Sequence, residues 1–213
     1  MKENYDRLME KEISRMEETA AEGKKPRILL HSCCGPCSTS VIERLADRFD
    51  ITVFFYNPNI DDREEYEVRK VNQIKYIETR YGKEGPVSFT EGPYDVEAFT
   101  AFGEKLPEEP EGGKRCALCF GLRLEKAAEA ASEGGYDCFA TTLTVSPMKN
   151  PQVINSIGLQ AGERFGVKYL VSDFKKRAGY QRSIELSNEY DLYRQHFCGC
   201  TYGKALQPQH LEK

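Results

Sequence analysis

The sequence of 213 residues has no tryptophan, three histidines and no run of 18 apolar residues. The lack of a long apolar run argues against a membrane-spanning helix. Residues 1–22 mix charged and apolar side chains in an amphipathic pattern, which differs from that of a secretory signal peptide. We therefore expect a cytoplasmic protein with no membrane partner.

Cysteine, by contrast, is frequent, with eight in the chain. Disulfide frameworks are typical of small secreted domains, whereas this chain is larger and is expected in the cytosol. Cys138 lies in an apolar segment and is predicted to be a buried core residue. The other seven thiols form three groups, Cys33-Cys34-x-x-Cys37, Cys116-x-x-Cys119 and Cys198-x-Cys200. Such grouping is typical of metal ligands or redox groups.

Strand-like and helix-like patterns alternate along the chain. Runs of β-branched and aromatic residues predict strands at 27–31, 51–56, 87–89, 137–143 and 168–172. Helical spacing of apolar residues covers 3–21, 41–49, 62–81, 94–106, 115–132, 152–165 and 181–192. This alternation predicts an α/β fold with an open, mostly parallel sheet flanked by helices. We expect an accessory helix within residues 1–24 and a single catalytic domain over 25–213.

The first cysteine group falls between a predicted strand and a predicted helix. Ser38 or Thr39 is expected to cap that helix. Open parallel sheets bind their ligands beyond the carboxyl ends of the strands. The segments at such ends are 33–37, 57–59, 144–147 and Asp173. The sequence therefore predicts the functional site at this edge of the sheet.

The number of grouped thiols limits the kind of metal site. One structural zinc ion takes four ligands, so seven thiols fit two metal ions, or a cluster beside a metal ion, better. Sulfur ligation suits iron–sulfur clusters and zinc alike. We favour iron–sulfur because a purely structural zinc does not normally occupy the functional edge of a sheet. Neighbours in an extended turn point in different directions, so Cys33 and Cys34 are predicted to serve different centres.

Two other functions remain open at this point. Cys34-Gly35-Pro36-Cys37 is the dithiol pattern of thioredoxin-like oxidoreductases, and it lies between a strand and a helix as it does in them. The extra Cys33, the missing tryptophan and the other paired thiols argue against thiol–disulfide exchange. The second alternative is a nucleic-acid-binding module stabilised by structural zinc.

The net charge of −4 is unevenly distributed. Residues 141–213 carry 10 basic and 6 acidic side chains, whereas residues 1–140 carry 20 and 28. A basic region near the last strand and helix consists of Lys175, Lys176, Arg177, Arg182 and Arg194, interleaved with Tyr180 and Tyr193. These residues either contact phosphates and stack on a base or form an ordinary solvated surface.

The three histidines have alternative interpretations. His31 ends a strand beside the thiols and is either a ligand or proton donor, or a hydrogen-bonded structural residue. His196 lies two residues before Cys198, with the same alternatives. His210 lies in a polar tail, and we assign it no role.

Six segments, each weak alone, carry a more specific signal. They are His31-Ser-Cys-Cys-Gly-Pro-Cys37, Phe54-Phe-Tyr-Asn-Pro-Asn-Ile60 with Glu65-Tyr66, Arg115-Cys-Ala-Leu-Cys-Phe120 with Arg123-Leu-Glu125, Thr141-Thr-Leu-Thr-Val-Ser-Pro147, Asp173-Phe-Lys-Lys176, and Tyr193-Arg-Gln-His-Phe-Cys-Gly-Cys200. In this order, and over about residues 27–203, the chain resembles the cobalamin-independent epoxyqueuosine reductases, the QueH family.

The resemblance implies two-electron removal of the epoxide oxygen from epoxyqueuosine in the anticodon loop of tRNA, which gives queuosine. It implies a four-iron four-sulfur cluster beside a second, mononuclear metal ion, with iron expected and zinc as the alternative. It also implies a fold like that of the nucleotide α-hydrolase-like (HUP) proteins. Those often bind ATP through a Gly-rich loop, which this sequence lacks, so we expect no ATP. An electron donor is required, and the sequence does not identify it.

Residue roles follow from the resemblance and from the directions of residues along the cysteine turn. We assign the cluster to Cys34, Cys116, Cys119 and Cys198 and the second metal ion to Cys33, Cys37 and Cys200. His31 and Asp173 are expected to be catalytic and, with Asn57, to orient the ligands. The tRNA is expected to contact Lys175, Lys176, Arg177 and Arg182.

Overall fold

The computed structural model describes residues 3–205. Residues 1–2 and 206–213, which include His210 and the end of the predicted catalytic domain, lie outside the described residues. The strands are β1 (Arg27–Ser32), β2 (Asp50–Phe55), β3 (Val87–Glu91), β4 (Cys138–Thr141) and β5 (Lys168–Tyr169). The helices are α1 (Tyr5–Thr19), α2 (Gly35–Leu45), α3 (Arg63–Tyr81), α4 (Val96–Gly103), α5 (Lys114–Glu133), α6 (Pro151–Phe165), α7 (Gly179–Glu189) and α8 (Thr201–Ala205).

The five strands form one sheet in the order β3-β2-β1-β4-β5, and every pair is parallel. The predicted α/β fold with an open parallel sheet is confirmed. The chain adds β2 and β3 on one side of β1 and then returns to add β4 and β5 on the other. The switch point of the topology therefore lies between the carboxyl ends of β1 and β4, which is where open sheets bind ligands.

Successive residues of the central strand enter cores on opposite faces of the sheet. Ile28 and Leu30 face a core shared with α1 and α2, whereas Leu29 faces a core shared with α5 and α6. Helix α1 adds three buried residues to the first core, Met9, Ile13 and Met16. The sheet is thus covered by helices on both faces, and its carboxyl edge carries the site.

Helix α1 is also joined to α2 by charged groups. Arg44 donates hydrogen bonds to Asp6 at 2.7 Å and to Glu10 at 2.6 Å. Arg48 reaches Glu10 at 2.9 Å. Among residues 3–205, no helix combines the length and the apolar character needed to cross a membrane.

Helix α2 begins earlier than the sequence predicted. Cys34 is its N-cap and Pro36 lies in its first turn, where the missing proline N–H has no helical partner in any case. Ser38 and Thr39 lie inside the helix, and their hydroxyls donate to the carbonyls of Gly35 and Pro36 at 2.8 and 3.0 Å. The expected cap at Ser38 or Thr39 was therefore wrong.

After residue 137, β4, β5 and α7 are shorter than predicted, and α8 was missed. Strand β4 stops at Thr141, whose Oγ1 accepts the N–H of Leu143 at 3.2 Å and starts a 3-10 turn over Thr142–Val145. Strand β5 has two residues, which pair with Cys138 and Phe139 of β4. Helix α7 begins and ends two to three residues before its predicted bounds, and α8 was not predicted.

Candidate functional site

The turn from β1 into α2 brings three thiols together. The Sγ atoms of Cys33, Cys34 and Cys37 all lie within 4.8 Å of one another, and those of Cys33 and Cys34 are 3.8 Å apart. Sulfur atoms bound about 2.3 Å from one tetrahedral metal ion are separated by about 3.8 Å. These three thiols are therefore close enough to hold a metal ion.

The sequence predicted that the side chains of Cys33 and Cys34 point in different directions. This prediction was wrong, because their sulfur atoms lie 3.8 Å apart. Strand alternation does not continue through the turn, because the chain enters α2 directly after the extended residue Cys34, with φ −175° and ψ 160°. Gly35 follows, where a Cβ would lie 3.0 Å from the Asn72 carbonyl oxygen of α3. Close packing of α3 against the turn thus favours glycine at this position.

Four other thiols form a second group. Cys116 and Cys119 lie in the first turns of α5, and Cys198 and Cys200 lie just before α8. All four line one small cavity. Backbone N–H groups support two of them, from Gly112 to Cys116 Sγ and from Gly203 to Cys200 Sγ, both at 3.3 Å.

Cys198 connects the two thiol groups. It lines the small cavity with Cys116 and also a larger cavity of about 400 Å³ with Cys33 and Cys37. Three segments that are far apart in sequence therefore meet at one place, beyond the carboxyl ends of β1 and β4. The positions of these cysteines in the sequence did not determine how far apart they lie in the structure.

Charged side chains on the wall of the larger cavity are mostly basic. They are Arg69, Arg123, Lys149, Arg194 and one acid, Glu111. Burial works against the positive charge of Lys149, but the neighbouring thiols of Cys198 and Cys33 more than offset it and raise its pKa. The cavity is thus a positively charged chamber with sulfur on its wall.

Arg123 supports the thiols from below and was missed in the sequence. Its side chain is 1% exposed, and it donates to Asn57 Oδ1 at 2.7 Å and to His31 Nε2 at 3.3 Å. Asn57 in turn donates to the Ser32 carbonyl at 2.9 Å. Arg123 lies one helical turn after Cys119, a spacing that could have indicated a shared face of α5.

His31 lies beneath the thiols and is not exposed. Its Nδ1 is hydrogen-bonded with Thr141 Oγ1 at 2.8 Å, and its Nε2, which accepts the Arg123 N–H, lies 3.2 Å from the Tyr56 carbonyl oxygen. Burial, and then the charge of Arg123, lowers its pKa to about 3. The side chain is therefore neutral and firmly held, and its catalytic role stays a prediction.

The thiols of the turn differ in acidity. Hydrogen bonds from Cys34 and Cys37 hold the pKa of Cys33 well below its usual value. Burial raises the pKa of Cys34 to about 12, although Gln195 Nε2 donates to its Sγ at 2.8 Å. The attacking thiol of a dithiol oxidoreductase is at least partly exposed. Cys34 is fully buried, and its burial argues against the thioredoxin-like alternative.

Arg69 holds the segment that carries Cys198 and Cys200, and it too was missed. The side chain is 1% exposed and donates to the carbonyls of Cys198 at 3.1 Å and Phe197 at 3.3 Å, and to Glu65 at 2.6 Å. Its spacing of four residues from Glu65 was visible in the sequence but fits a solvated helix surface equally well.

The other predicted site residues lie away from the cavity wall. Asp173 is 8% exposed, with its Oδ1 3.2 Å from Lys175 Nζ. Arg177 pairs with Asp6 at 3.1 Å, and Arg182 pairs with Glu43 at 2.8 Å, whereas Lys176 is exposed. Their catalytic and tRNA-binding roles stay predictions. Cys138 is fully buried in a core, as predicted.

Comparison with known proteins gives a consistent result. The sequence model of the family described as "Epoxyqueuosine reductase QueH" matches residues 28–205. The chain belongs to the epoxyqueuosine reductase QueH family. The QueH match contains all seven grouped cysteines and begins after α1.

Curated relatives extend the similarity to QueH proteins across most of the chain. A protein of Staphylococcus epidermidis is 45% identical over 96% of this chain and 86% of its own length. Relatives from Streptococcus pyogenes and Thermotoga maritima are 44% and 36% identical, over 96% and 82% of this chain and 79% and 88% of their own lengths. Each is named "Epoxyqueuosine reductase QueH".

Proposed function

We propose that this chain reduces the epoxide of epoxyqueuosine in tRNA to the cyclopentene of queuosine. The reaction consumes two electrons and two protons and releases the epoxide oxygen as water. The observation that carries the proposal is the meeting of three cysteine segments at one basic cavity in a QueH-family chain. An electron carrier, still to be identified, would supply the electrons.

The thiols suit a four-iron four-sulfur cluster and a separate metal ion. We assign the cluster to Cys34, Cys116, Cys119 and Cys198, and the separate ion, iron rather than zinc, to Cys33, Cys37 and Cys200. When bound, the cluster supplies single electrons and the separate ion a Lewis acid. Thiolate ligands suit both groups.

Packing of the free thiols supports a second division of the ligands. Cys34 lies with Cys33 and Cys37, and Cys200 shares the small cavity with Cys116. In this division, Cys34 and Cys200 exchange places. Cys34→Ser and Cys200→Ser distinguish the two: the assignment above predicts loss of the cluster spectrum in Cys34→Ser, and the exchanged division predicts that loss in Cys200→Ser.

The chain's own basic groups would stabilise charge during the reaction. Lys149 is half-buried on the cavity wall with Cys33, Cys37 and Cys198. A cation held there stabilises negative charge that develops on the epoxide oxygen as the C–O bond breaks. Arg123 is fully buried and keeps a second positive charge under the thiols without exposing it to water.

The substrate would enter as an extruded nucleoside. Anticodon bases can be unstacked and received by a protein pocket, while the phosphates contact basic side chains. Lys175, Lys176, Arg177 and Arg182 remain our proposed phosphate contacts. Lys176 is the most available of them, because it is exposed and the other three pair with acidic residues.

The direct test uses protein purified and reconstituted without oxygen, a chemical reductant and tRNA carrying epoxyqueuosine. Mass spectrometry of the digested tRNA should show queuosine formed in proportion to enzyme turnovers. Unchanged epoxyqueuosine with fully reconstituted protein would overturn the proposal. Insulin reduction in place of epoxide reduction would favour the dithiol alternative, and a colourless protein with bound zinc would favour the zinc module.

A further inference from the structure

Two large side chains at the opening of the larger of the two thiol-lined cavities have no role in the proposed reaction. Met148 is 73% exposed and Tyr180 is 37% exposed, and both line the cavity that contains Cys33, Cys37 and Cys198. Exposed residues of a cavity wall lie where the cavity opens to solvent. The thiols are less exposed and lie deeper.

We propose that Tyr180, supported by Arg194, and Met148 form a stacking clamp for the nucleobase of the nucleoside that enters the cavity. The inference rests on the proposed function, from which it takes an RNA nucleoside as ligand. With the base held at the opening, the epoxide-bearing ring attached to it extends inward to the thiols.

The first side of the clamp is an aromatic ring in a fixed position. Tyr180 lies in the first turn of α7, and the Arg194 guanidinium carbon lies 5.4 Å from its ring centroid. Arg194 itself is held by α7, because it donates to the Ser183 carbonyl at 3.4 Å and to Ser187 Oγ at 3.3 Å. An aromatic ring combined with an arginine is a common platform on which proteins stack single-stranded bases.

The second side is a methionine presented on a tight turn. Ser146 Oγ accepts the N–H of Met148 at 3.3 Å, and the Ser146 carbonyl accepts the N–H of Lys149 at 3.3 Å. Lys175 Nζ donates to the Lys149 carbonyl at 3.3 Å and fixes the other end of the turn. The turn therefore holds an apolar, polarisable thioether at the opening, where it can pack on a π-face.

The size and charge of the cavity match a nucleoside attached to RNA. Its volume of about 400 Å³ lies in the usual range for small-ligand sites, roughly 300–1,000 Å³. Four of the five formally charged residues on its wall are basic, which favours a ligand that carries phosphates. The aromatic and apolar groups at the opening favour a flat base.

Tyr193 provides a natural comparison. It is 40% exposed and lies in the same basic region, but its hydroxyl donates to Glu65 at 3.0 Å. Of the described residues that line the larger thiol-lined cavity, Tyr180 is the only tyrosine. The structure thus selects Tyr180 over Tyr193 as the stacking residue.

The test measures binding of an anticodon stem–loop RNA that carries epoxyqueuosine to the reconstituted full chain, by fluorescence anisotropy. Tyr180→Ala should weaken binding about 5- to 150-fold, the loss that corresponds to one stacked base. Tyr180→Phe should bind like the wild type, because the ring is retained. Met148→Ala should weaken binding by a smaller factor.

Salt dependence separates stacking from phosphate contact. Tyr180→Ala removes no charge, so the slope of log affinity against log salt should equal that of the wild type. The matched controls are Tyr193→Ala for the ring and Leu159→Ala for the methionine. Leu159 is 51% exposed on α6. Both controls should bind with wild-type affinity, and melting temperatures of all variants check folding.

The clamp and the proposed function can fail separately. Wild-type epoxide reduction together with unchanged binding by folded Tyr180→Ala would overturn the clamp alone. Equal losses in Tyr180→Ala and Tyr193→Ala would also overturn it. If the wild-type chain reduces no epoxide and does not distinguish the epoxyqueuosine stem–loop from one with guanosine, the proposed function and the clamp's ligand both fail.

Discussion

The thiols that follow β1 and the thiols that precede α8 are held in different ways. Cys33, Cys34 and Cys37 follow the central strand, and their sulfur atoms lie within 4.8 Å of one another. Cys198 and Cys200 lie in an irregular segment between α7 and α8 that Arg69 ties to α3. We refer to these as the turn group and the loop group. The first is positioned by the sheet, and the second by a few side-chain hydrogen bonds.

This difference separates the two ways in which the site can be damaged. The turn group is fixed by the same packing that stabilises the whole domain. It should therefore lose its metal mainly when one of its own cysteines is replaced. The loop group depends on residues outside the ligand set. Substitutions of those residues should release Cys198 and Cys200 while the sheet remains folded.

The largest effect is expected from loss of a ligand in the turn group. Cys33→Ser should lower the rate of epoxide reduction by at least about 100-fold, because even indirect supports of metal ligands contribute up to that factor. The rate on tRNA and the metal content per chain are the measurements. Cys138→Ala, which alters a thiol in the core, should retain the metal. Normal metal content and rate in Cys33→Ser would contradict the assignment of the turn group.

The next effect concerns the support of the loop group. Arg69→Ala leaves Glu65 Oε1 and the carbonyls of Phe197 and Cys198 without the donor that Arg69 supplies. Removing one partner of a buried ion pair destabilises by about 3–5 kcal/mol. Urea unfolding and the cluster absorbance should both show the loss.

A matched control lies on the same helix. Arg63 is 61% exposed and pairs with Glu67, so Arg63→Ala should change stability by about 0–1 kcal/mol. Arg69→Lys should recover little, because a lysine ammonium does not reproduce the fork of donors. Retention of stability and cluster in Arg69→Ala would show that the loop group does not depend on α3.

A smaller effect is expected at Gly199, between the two loop thiols. Its φ is +114°, and a Cβ there would lie 2.9 Å from Ile60 Cγ1 and 3.0 Å from an Arg69 nitrogen. Gly199→Ala should cost about 1–3 kcal/mol from backbone strain and also displace Arg69. Thermal unfolding and cluster content measure the two consequences.

Gly135 is the control for backbone strain alone. It has φ +61°, and a Cβ there would meet no atom within 4 Å. Gly135→Ala should lose about 1–2 kcal/mol and keep full cluster content. If Gly199→Ala and Gly135→Ala lost the same fraction of their cluster, the loop group would not be held in place by its close packing against α3.

The smallest effect is expected on the affinity of the basic region for tRNA. Lys176→Ala should reduce the slope of log affinity against log salt by about 0.9, the contribution of one phosphate contact. Arg177→Ala should change the slope less, because that side chain pairs with Asp6 at 3.1 Å and Glu10 at 3.7 Å. Salt titrations of tRNA binding measure both, and unchanged slopes in both variants would make this surface an ordinary solvated one.

The sequence was informative where local pattern and final structure coincide. Apolar runs and helical periodicity located all five strands and seven of the helices, because each of these elements buries apolar side chains at a regular spacing. Helix α8 has five residues, and β5 pairs over only two. Such short elements depend on contacts from distant parts of the chain, which local pattern does not contain.

The same limit applies to the site. The thiols were identified because their grouping is unusual, but Arg69 and Arg123 lie in helices rich in charged residues. A buried arginine and a solvated one look alike in such a sequence. Their burial follows from partners 66 to 129 residues away in the chain, including the Cys198 carbonyl for Arg69 and Asn57 for Arg123.

The most direct test is Mössbauer spectroscopy, with metal analysis, on the wild-type chain reconstituted with ⁵⁷Fe and sulfide under anaerobic conditions. We predict the signal of a four-iron four-sulfur cluster together with a separate mononuclear site. We also predict that Arg69→Ala loses the cluster signal while its sheet remains folded. A wild-type sample that holds one tetrahedral zinc ion and no iron would contradict the account.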